Sequence, residues 1–594
     1  NAPKGVEVKE IHSLIDAHPV VNARQLKLWE WISFYYLCPR GDVYKAALPS
    51  AMKPQDFART FVPKTETRFR LNPKIEEKFI ANFIGRAKKQ HLLFAEISRF
   101  LSENNADFIG KKAALELPGA SPAVLKGLIE KQILQEFSFE TARVDSDIAA
   151  QRTPYPLNEY QQTAMVEINR CFAEKNTCLL HGVTSSGKTE IYIHLIEQML
   201  AEGKQTLYLV PEIALTTQLT ARLQAVFGNR LGIYHSKIND NERVEIWQKM
   251  LSDAPYEIII GVRSSIFLPF RDVGLVIVDE EHEASYKQQE PAPRYHARDT
   301  AVMLAHLFGA KTLLGSATPS VESYYNARTG KYGLVSLTQR FEAMQMPEIR
   351  LENTQELRRK KKMKSLLAPA LIEQMRAALD KDEQVILFRN RRGFAPMLEC
   401  KHCAWTPKCR HCDVSLKYHK FRNQLVCHYC NTSYRVPPEC PSCHEKSLEM
   451  LGQGTEQLEE ETARLFPDAR IARMDTDTTR GKNAYEKILT DFQEKRVQIL
   501  VGTQMLSKGL DFDNVSVVGI ISADSLLNYP DFRSHERGFQ LMTQAAGRAG
   551  RKNRRGTVFI QTAAPGMPVY HFITANDYDS FFNAQIAERK LFRY

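Results

Sequence analysis

The sequence lacks the long apolar runs that membrane-spanning helices require. No stretch reaches the roughly 18 consecutive apolar residues of a spanning helix, so we expect no membrane association. The start also differs from a secretory leader, because no apolar core follows a charged segment. The chain begins at Asn1 without a methionine, which predicts that residues precede it in the natural protein.

Cysteine is scarce outside one block. Three of the eleven cysteines, Cys38, Cys171 and Cys178, lie in ordinary segments, and we predict that they are buried thiols. The other eight lie between Cys400 and Cys443, all in C-x-x-C pairs. A chain without secretory features does not normally carry disulfides, so this block predicts metal ligation.

Both acidic and basic residues are frequent, and the basic ones are in excess. The chain has 80 Lys and Arg against 69 Asp and Glu, a net charge of +11. Basic side chains neutralise phosphates and release counterions, so this excess favours a polyanionic partner, although a merely basic enzyme would show it too. With 594 residues, 43% of them hydrophobic, the chain has room for roughly three to five globular domains.

Residues 1–145 have a helical pattern. The aromatic segment 26–36 carries more apolar surface than a lone helix can hide, so we expect it to dock on a neighbouring element. Further on, Ser121 caps a helix that has Pro122 at its first position and leads into a β-like tail at 135–139. A helix followed by a strand is what a winged-helix domain would show, and a plain helical spacer is the alternative.

From residue 150, short β-branched runs alternate with helices, which predicts parallel sheets with helical crossovers and an α/β fold of two successive lobes. The predicted strands are 177–181, 206–210, 257–260, 275–278 and 312–314 in lobe 1, and 384–388, 470–474, 498–501, 515–520 and 557–560 in lobe 2. The predicted divisions are a helical remnant at 1–50, a winged-helix domain at 51–145, lobe 1 at 150–340, lobe 2 at 341–397 and 445–565, a cysteine-rich insertion at 398–446 and a C-terminal segment at 566–594.

A glycine-rich motif follows the first strand of lobe 1 and opens the next helix. It matches G-x-x-x-x-G-K-[ST], and its backbone N–H groups and helix N-terminus would hold phosphates. Lys188 would reach the β- and γ-phosphates of ATP, and the Thr189 hydroxyl would ligate Mg²⁺. The predicted nucleotide-binding residues are Gly182, Val183, Thr184, Ser185, Ser186, Gly187, Lys188 and Thr189.

An apolar strand at 275–278 ends in an acidic run. Asp279 is placed to hold Mg²⁺ through water, and Glu280 to polarise the water that attacks ATP. An acidic strand end is more often a solvated turn, but the preceding P-loop indicates a Walker B site.

Four further segments distinguish a helicase from other P-loop proteins. In the first segment, 315–320, the hydroxyl of Thr318 could link the ATP site to a bound strand. In the second segment, 502–509, Thr503 would contact DNA and Gly509 would contact the nucleotide.

The other two segments concern the nucleotide alone. Arg548 and Arg551, three residues apart, are suited to stabilising γ-phosphate charge from across a cleft. Gln161, upstream of the P-loop, could contact the adenine edge. Each segment is weak evidence by itself, but their order and spacing together are specific.

The eight clustered cysteines suffice for two tetrahedral Cys₄ zinc sites, each too closed for catalysis and therefore structural. Each C-x-x-C turn supplies two ligands, so the sequence allows three pairings of the four turns. We favour a nested arrangement, in which the inner pairs close a local hairpin. The outer set is then Cys400, Cys403, Cys440 and Cys443, and the inner set Cys409, Cys412, Cys427 and Cys430. A redox or iron–sulfur role is the less favoured alternative.

In these motifs and their order, residues 150–565 resemble superfamily 2 helicases. The cysteine block after 390–394, with the segments 279–299 and 452–456, more closely resembles the PriA family of primosomal helicases. The resemblance implies two RecA-like lobes, with ATP bound by the first and arginines supplied by the second. It also implies 3′-to-5′ DNA unwinding at abandoned replication forks and the start of primosome assembly, in the bacterial cytoplasm at the nucleoid.

The resemblance also implies partners and DNA contacts. The partners are forked and single-stranded DNA, single-stranded DNA-binding protein, other primosome proteins and the loader of the replicative helicase. Arg263 lies in a segment that looks like a strand-binding motif. In the family's aromatic-rich loop after the Walker B motif, the aromatic side chains would stack on bases and the basic ones would hold phosphates; an ordinary surface loop is the alternative. The stacking residues would be Tyr286, Tyr295 and His296, and the phosphate contacts Lys287, Arg294 and Arg298. The family's N-terminal domain, which grips a 3′ end, and its C-terminal α/β domain are expected to be missing from this chain.

Other functions fit parts of the same pattern. A fork-binding assembly platform, with the zinc module recruiting other proteins, would not need strand separation. A translocase that remodels protein–DNA complexes fits the two lobes equally well, but a rigid zinc knuckle beside the cleft favours strand separation. Trp405, between two knuckles, is a candidate wedge or a packing residue. RNA also remains possible as a substrate, because motor lobes hold the backbone and not the base edges.

Overall fold

The computed structural model describes residues 16–53, 65–73, 84–85, 87–104, 106–140, 150–211, 217–236, 238–339, 346–389, 397–400, 402–403, 405–411, 416–419, 424–427, 430, 432–451, 455–475, 478–479, 484–503, 512, 514–529, 531–550 and 555–594. The chain divides into two compact units, the first formed by Asn1–Asn22, Tyr44–Ile148 and Ser236–Pro255, the second by Ala23–Val43, Ala149–His235 and Tyr256–Tyr594. Among the described residues, no helix is both long and apolar enough to span a bilayer.

The described part of the chain starts with two helices, α1 (Ala23–Tyr35) and α2 (Arg40–Ala47), and a 3-10 turn, Ser50–Met52. In its described residues before 141, the first unit then builds a three-stranded antiparallel sheet of order β2-β1-β3, with three helices between β1 and β3. Its elements are β1 (Thr65–Leu71), α3 (Lys88–Glu103), β2 (Ile109–Gly110), α4 (Lys111–Glu116), α5 (Pro122–Glu130) and β3 (Leu134–Glu140).

The predicted helix start at α5 is present. The Ser121 hydroxyl accepts a hydrogen bond from Val124 N at 3.3 Å, with proline at the first helical position. The helix pair α4–α5 is followed by strand β3, as a winged-helix domain requires. However, β3 pairs along seven residues with β1, a strand that precedes all three helices.

Lobe 1 is a seven-stranded parallel sheet of order β10-β4-β9-β8-β5-β7-β6. Its strands are β4 (Thr177–Gly182), β5 (Gln205–Leu209), β6 (Leu231–Tyr234), β7 (Ile258–Gly261), β8 (Val273–Asp279), β9 (Lys311–Ser316) and β10 (Gly333–Leu337). The helices in this part of the chain are α6 (Glu159–Glu174), α7 (Lys188–Ala201), α8 (Thr217–Phe227), α9 (Asp240–Leu251), α10 (Ala297–Phe308) and α11 (Val321–Arg328), with 3-10 turns at Gly228–Arg230, Arg263–Phe267 and Ala284–Tyr286. Helix α9 belongs to the first unit, where the Asp240 carboxylate accepts from Ala51 N at 2.5 Å.

Lobe 2 is a six-stranded parallel sheet of order β11-β21-β20-β12-β19-β18. Its strands are β11 (Glu348–Asn353), β12 (Gln384–Arg389), β18 (Ile471–Met474), β19 (Ile499–Gly502), β20 (Val515–Ile521) and β21 (Thr557–Thr562). Its helices are α12 (Thr354–Arg359), α13 (Pro369–Leu379), α14 (Thr455–Leu465), α15 (Ala484–Gln493), α16 (Asp524–Leu527) and α17 (Ser534–Ala546), and the C-terminal segment adds α18 (Pro568–Ala575) and α19 (Tyr578–Phe592).

The cysteine-rich insertion contains two small antiparallel sheets. Strands β13 (Met397–Cys400) and β17 (Leu448–Leu451) pair where the insertion leaves and rejoins lobe 2. Strands β14 (Lys417–His419), β15 (Gln424–Val426) and β16 (Ser433–Arg435) form the other sheet. The α/β fold of two parallel-sheet lobes with this insertion is therefore confirmed.

The predicted strands all exist, but within the described residues of the two lobes three strands were missed: β6, β10 and β11. Each is at an edge of its sheet, where one side of the strand is not covered. In β11, all six residues are partly or fully exposed and three carry charge, so its sequence lacks the continuous apolar run of a buried parallel strand.

Candidate active site between the two lobes

The P-loop connects strand β4 to helix α7 through backbone that only a small residue tolerates. Gly187 has φ +78°, in the left-handed region, and a Cβ there would lie 2.2 Å from Gln161 Nε2. Glycine is therefore required both by conformation and by space. A turn of this kind that opens a helix is an anion-binding arrangement.

Two polar groups of the P-loop are hydrogen-bond donors that phosphate oxygens could accept from. Lys188 Nζ donates to the carbonyl of Gly182 at 2.8 Å, inside its own loop. The buried Ser186 hydroxyl has no hydrogen-bond partner among the described residues. Phosphate oxygens would accept from both, so the donor set fits a nucleotide.

The Walker B carboxylates lie where β8 ends. Asp279 accepts hydrogen bonds from Tyr192 Oη at 3.0 Å, from Tyr208 Oη at 3.5 Å and from Glu280 N at 3.1 Å. Burial, followed by the neighbouring charge of Glu280, raises the pKa of Asp279 to about 6. A divalent cation would favour the ionised carboxylate, so this pair fits a Mg²⁺ site.

Glu281, the next residue, is fully buried and faces away from that pair. Its carboxylate accepts from Ser320 N at 2.6 Å, from Ser323 Oγ at 2.8 Å and from Arg298 Nη1 at 3.0 Å. We expected Arg298 to hold a DNA phosphate, but the structure uses it to neutralise Glu281 and Asp299. The ion pair fixes the segment after β8 to the first turn of α10, and the contacts with Ser320 and Ser323 fix it to the start of α11.

Lobe 2 reaches this region through helix α17. Gln544 Nε2 lies 2.9 Å from His282 Nε2 and 3.4 Å from Glu280 Oε2. The other ring nitrogen of His282 lies 2.7 Å from Ser316 Oγ, which also accepts from Thr318 N at 3.0 Å. A chain of hydrogen bonds therefore runs from lobe 2 through the Walker B motif to the segment that carries Thr318. The signal that could have identified Gln544 was its position at the start of the motif that contains Arg548.

The end of α17 also contacts the P-loop. A Cβ at Gly547 would lie 3.0 Å from Thr184 Oγ1, so the backbone just before Arg548 runs close to the P-loop. Arg548 is largely buried. Burial raises the pKa of Tyr485 to about 12, and the positive charge of Arg548 opposes this shift in part. Thr503 is also buried, directly after β19. Arg551 and Gly509 lie outside the described residues.

Gln161 is held against the P-loop. Its Oε1 accepts from Asn158 N at 3.0 Å in a capping box, and its Nε2 donates to the Gly187 carbonyl at 3.2 Å. It therefore fixes the start of α6 to the phosphate loop. Contact with adenine stays a prediction.

The two tyrosines that we expected to stack on bases are both 1% exposed. Tyr286 Oη donates to the carbonyls of Asp279 at 2.6 Å and Leu209 at 3.1 Å, and Tyr295 Oη donates to the carbonyl of Arg263 at 3.2 Å. Stacking on a base needs an exposed ring face. In this structure both rings instead hold the loop against the sheet of lobe 1.

The basic residues of the same loop differ in exposure. Arg263 Nη1 donates to the Ser285 carbonyl at 3.2 Å. Lys287 is half-buried and donates to the Arg294 carbonyl. Arg294 has 64% of its side chain exposed and pairs with the equally open Glu290 at 2.6 Å. Arg294 is therefore the guanidinium of this set that a DNA phosphate could reach most easily.

The last helix, α19, joins the two lobes. Arg589 Nη2 lies 2.6 Å from Glu536 Oε2 of α17, and Arg589 Nη1 lies 3.2 Å from Glu322 Oε1 of α11. Glu536 also accepts from Val321 N at 2.9 Å, and Glu322 pairs with Arg533 at 2.5 Å. One arginine thus stands between an acid of lobe 1 and an acid of lobe 2.

An aromatic cluster supports the same junction. The rings of Tyr578 and Tyr324 meet edge to face at 5.0 Å, and both contact the imidazole of His181, the residue before the P-loop. Tyr578 Oη donates to the Pro319 carbonyl at 2.7 Å. Burial lowers the pKa of His181 to about 4, so the ring is neutral at pH 7.

The cysteines of the insertion gather in two sets. Cys400, Cys403, Cys440 and Cys443 form the outer set, and Cys409, Cys427 and Cys430 the inner one; Cys412 lies outside the described residues. This is the nested grouping. The sulfur separations are 3.5 Å for Cys400–Cys443 and for Cys403–Cys440, and 3.7 Å for Cys409–Cys430.

These separations test the fit of a metal. Four sulfurs placed 2.3 Å from a tetrahedral zinc ion lie about 3.8 Å apart, whereas a disulfide needs about 2.05 Å. The thiol geometry therefore fits zinc. Trp405 packs against the outer set while part of its surface stays exposed, so packing is observed and the wedge role stays a prediction.

Family models match four parts of the chain. Residues 158–327 match the DEAD/DEAH box helicase model, and 442–553 match the helicase conserved C-terminal domain. Residues 409–435 match the PriA DNA helicase Cys-rich region domain, and 1–49 match the 3′ DNA-binding domain. We expected residues 1–50 only to follow that last domain, but the match assigns this segment to the domain itself.

Known proteins resemble the chain over nearly all of its length. The replication restart protein PriA of Bacillus subtilis (strain 168) is 37% identical over 646 aligned residues, which cover 99% of this chain and 80% of that protein. PriA of Haemophilus influenzae is 38% identical, with 97% of this chain and 77% of that protein covered. Among solved structures, RecG bound to a three-way DNA junction matches 73% of this chain and 47% of that chain, with a TM-score of 0.43 at 16% identity.

Proposed function

The chain belongs to the PriA family of replication restart proteins and is an ATP-dependent DNA helicase; we propose that it unwinds the lagging strand of abandoned forks from 3′ to 5′. Two contacts of α17 support a motor that closes around its nucleotide. A Cβ at Gly547 would lie 3.0 Å from Thr184 of the P-loop, and Gln544 Nε2 lies 3.4 Å from Glu280 Oε2 of the Walker B motif. One helix of lobe 2 thus meets both halves of the site in lobe 1.

The residues that would hold ATP and Mg²⁺ follow from the donor set. Lys188 Nζ and the Ser186 hydroxyl would bind phosphate oxygens, and the Thr189 hydroxyl and Asp279 would hold the metal ion. Bound ATP supplies a phosphoanhydride whose hydrolysis drives lobe movement.

Glu280 would orient the attacking water and accept its proton. Its Oε2 is contacted by Gln544 Nε2, so the position of this carboxylate depends on lobe 2. Arg548, directly after the Gly547 contact, would balance the charge that develops on the γ-phosphate. Catalysis would then require the closed arrangement of both lobes.

The finer biological role belongs to the same proposal. The substrates are forked and single-stranded DNA, met at the bacterial nucleoid. The protein partners are single-stranded DNA-binding protein, other primosome proteins and the loader of the replicative helicase. Two structural Zn²⁺ ions, held by the two cysteine sets, complete the cofactors.

ATP hydrolysis by this chain tests the proposal. The rate is measured without nucleic acid and with forked DNA, single-stranded DNA, blunt duplex and RNA. We expect strong stimulation by forked and single-stranded DNA, lost in Lys188→Ala and kept in Lys381→Ala, which removes an exposed lysine of lobe 2. Stimulation by RNA alone would make RNA the substrate, and no stimulation by any nucleic acid would overturn the motor.

A further inference from the structure

Tyr192 lies one helical turn after the lysine of the P-loop. Helix α7 begins at Lys188, and residues four apart share one face of a helix, so both side chains project from the same face. The ring of Tyr192 is fully buried and meets the ring of Tyr208 edge to face, with 5.5 Å between the ring centres. Its hydroxyl donates to Asp279 Oδ1 at 3.0 Å. A side chain of the P-loop helix therefore reaches the Walker B carboxylate.

The two oxygens of the Asp279 carboxylate are held unequally. Oδ1 accepts from Tyr192 Oη at 3.0 Å and from Glu280 N at 3.1 Å. Oδ2 accepts from Tyr208 Oη at 3.5 Å, which is the outer limit of a hydrogen bond. Two short bonds to Oδ1 fix the plane of the carboxylate. Oδ2 keeps more of its capacity as an acceptor, so it has more left for water bound to a metal ion.

The same hydroxyl occupies the place where a side chain at Gly315 would begin. A Cβ at Gly315 would lie 1.8 Å from Tyr192 Oη and 3.4 Å from Asp279 Oδ1. Gly315 pairs with Asp279 across strands β9 and β8, and its carbonyl accepts from Glu281 N at 3.1 Å. Its φ is not in the left-handed region, so backbone conformation does not require glycine here. The space taken by the tyrosine hydroxyl does.

Gly315 also begins the segment that carries Thr318. Ser316 Oγ, one residue further on, lies 2.7 Å from His282 Nδ1 and accepts from Thr318 N at 3.0 Å. A movement of this segment would therefore move the backbone on which the Tyr192 hydroxyl rests. Tyr192 thus contacts both the Walker B carboxylate and the first residue of the segment 315–320.

We propose that Tyr192 is a positioning residue for the metal ion, whose hydroxyl holds the Asp279 carboxylate in one orientation toward Mg²⁺. Gly315 is glycine because that hydroxyl occupies the space of a Cβ. The proposal rests on the proposed function, which gives Asp279 its role toward Mg²⁺, and Tyr192 acts only through that carboxylate. A packing role is the alternative, and it predicts that the ring matters while the hydroxyl does not.

Nucleotide binding by the full chain with and without Mg²⁺ tests the assignment. The affinity for a fluorescent non-hydrolysable ATP analogue is measured in both buffers, and their ratio is the magnesium-dependent gain. We expect Tyr192→Phe, which removes one hydrogen bond to a charged group, to lower this gain by about tenfold and to leave the affinity without Mg²⁺ unchanged. Tyr570→Phe is the matched control and should keep the full gain. Tyr570 is equally buried and donates to a carboxylate oxygen of Asp524 at 3.2 Å, outside the site.

Two double variants test the route through which the hydroxyl acts. Tyr192→Phe added to Asp279→Asn should lower the gain no further, because Tyr192 acts through that carboxylate. Gly315→Ala alone should displace the hydroxyl and lower the gain as Tyr192→Phe does. Added to Tyr192→Phe, it should cost less than about threefold more, because the Cβ then meets no oxygen.

The outcomes separate this assignment from the motor. An unchanged gain in Tyr192→Phe, with the gain present in the wild type, would overturn the assignment in favour of packing. So would an equal loss of affinity with and without Mg²⁺, or an equal effect of Gly315→Ala in both backgrounds. A wild type without any gain would contradict the metal role of Asp279 and this assignment together. Because the assay needs neither DNA nor hydrolysis, absence of DNA-stimulated ATPase would contradict the motor alone.

Discussion

Arg589 and Glu536 form a buried ion pair 2.6 Å long between the last helix of the chain and the helix of lobe 2 that carries Gln544. Arg589 also reaches Glu322 at the first turn of α11 in lobe 1. The C-terminal segment is therefore part of the junction between the lobes and not an appendage to lobe 2.

Removing this arginine should weaken the junction and uncouple hydrolysis from unwinding. Arg589→Met leaves Glu536 buried without its cation, which typically costs about 3–5 kcal/mol. We expect a lower unfolding midpoint and fewer base pairs unwound per ATP hydrolysed, while Lys590→Met, an exposed neighbour, behaves like the wild type. The double variant Arg589→Met/Glu536→Met should recover stability but not coupling. Full recovery of both would restrict the pair to a structural role.

Glu281 should matter for stability more than its exposed neighbours. Glu281→Ala leaves the buried Arg298 with Asp299 as its remaining carboxylate partner, and we expect a loss of about 3 kcal/mol in the free energy of unfolding, the lower end for a broken buried pair. The matched control is Glu290→Ala in the exposed loop, which should change that free energy by about 0.5 kcal/mol or less. Chemical denaturation measures both. Equal effects at the two positions would contradict the structural assignment of Glu281.

Metal content should separate the two cysteine sets. We expect about two zinc ions per chain by atomic absorption, and about one after Cys440→Ser, which removes a ligand of the outer set. Cys178→Ser changes a buried thiol in β4 and should retain both. An assembly platform predicts that Cys440→Ser abolishes loading of the replicative helicase while Lys188→Ala does not. A motor predicts loss of unwinding in Lys188→Ala.

Stability should fall in mild acid because of His181. Its pKa is about 4 in the folded chain and about 6.5 when unfolded, so the unfolded state binds the proton more readily. The contribution is fully present above about pH 6.5 and is lost progressively as the pH falls toward 4, by up to about 3 kcal/mol. His181→Gln should flatten this part of the profile in thermal unfolding scans. An unchanged slope would show that other groups carry the acid sensitivity.

The central strands of the two lobes were predictable from the sequence, whereas three of their four edge strands were not. Strands such as β4 and β8 have almost continuous burial, so their apolar runs are unambiguous. Strand β11 has a solvated side and three charges, and its pattern resembles that of a loop. The spacing of the cysteines left three pairings of the C-x-x-C turns open. The nested one, favoured because its inner pairs close a local hairpin, is the grouping of the described cysteines.

Roles that depend on which way a side chain faces were not predictable. Tyr286, Tyr295 and Arg298 have the residue types of DNA contacts, yet packing against lobe 1 turns all three inward. The junction formed by Arg589 could not be predicted from the sequence either, because its partners are 53 and 267 residues away along the chain. Local patterns predict elements and motifs well, whereas long-range pairs require the folded chain.

The C-terminal segment gives the motor a mechanical constraint. The chain crosses between the lobes once before β11, and α19 makes a second bridge through Arg589 and the rings around Tyr578. A body attached at one point can swing in any direction, but a body attached at two points can only turn about the line that joins them. Each round of hydrolysis would therefore repeat the same relative movement of the two lobes about that line.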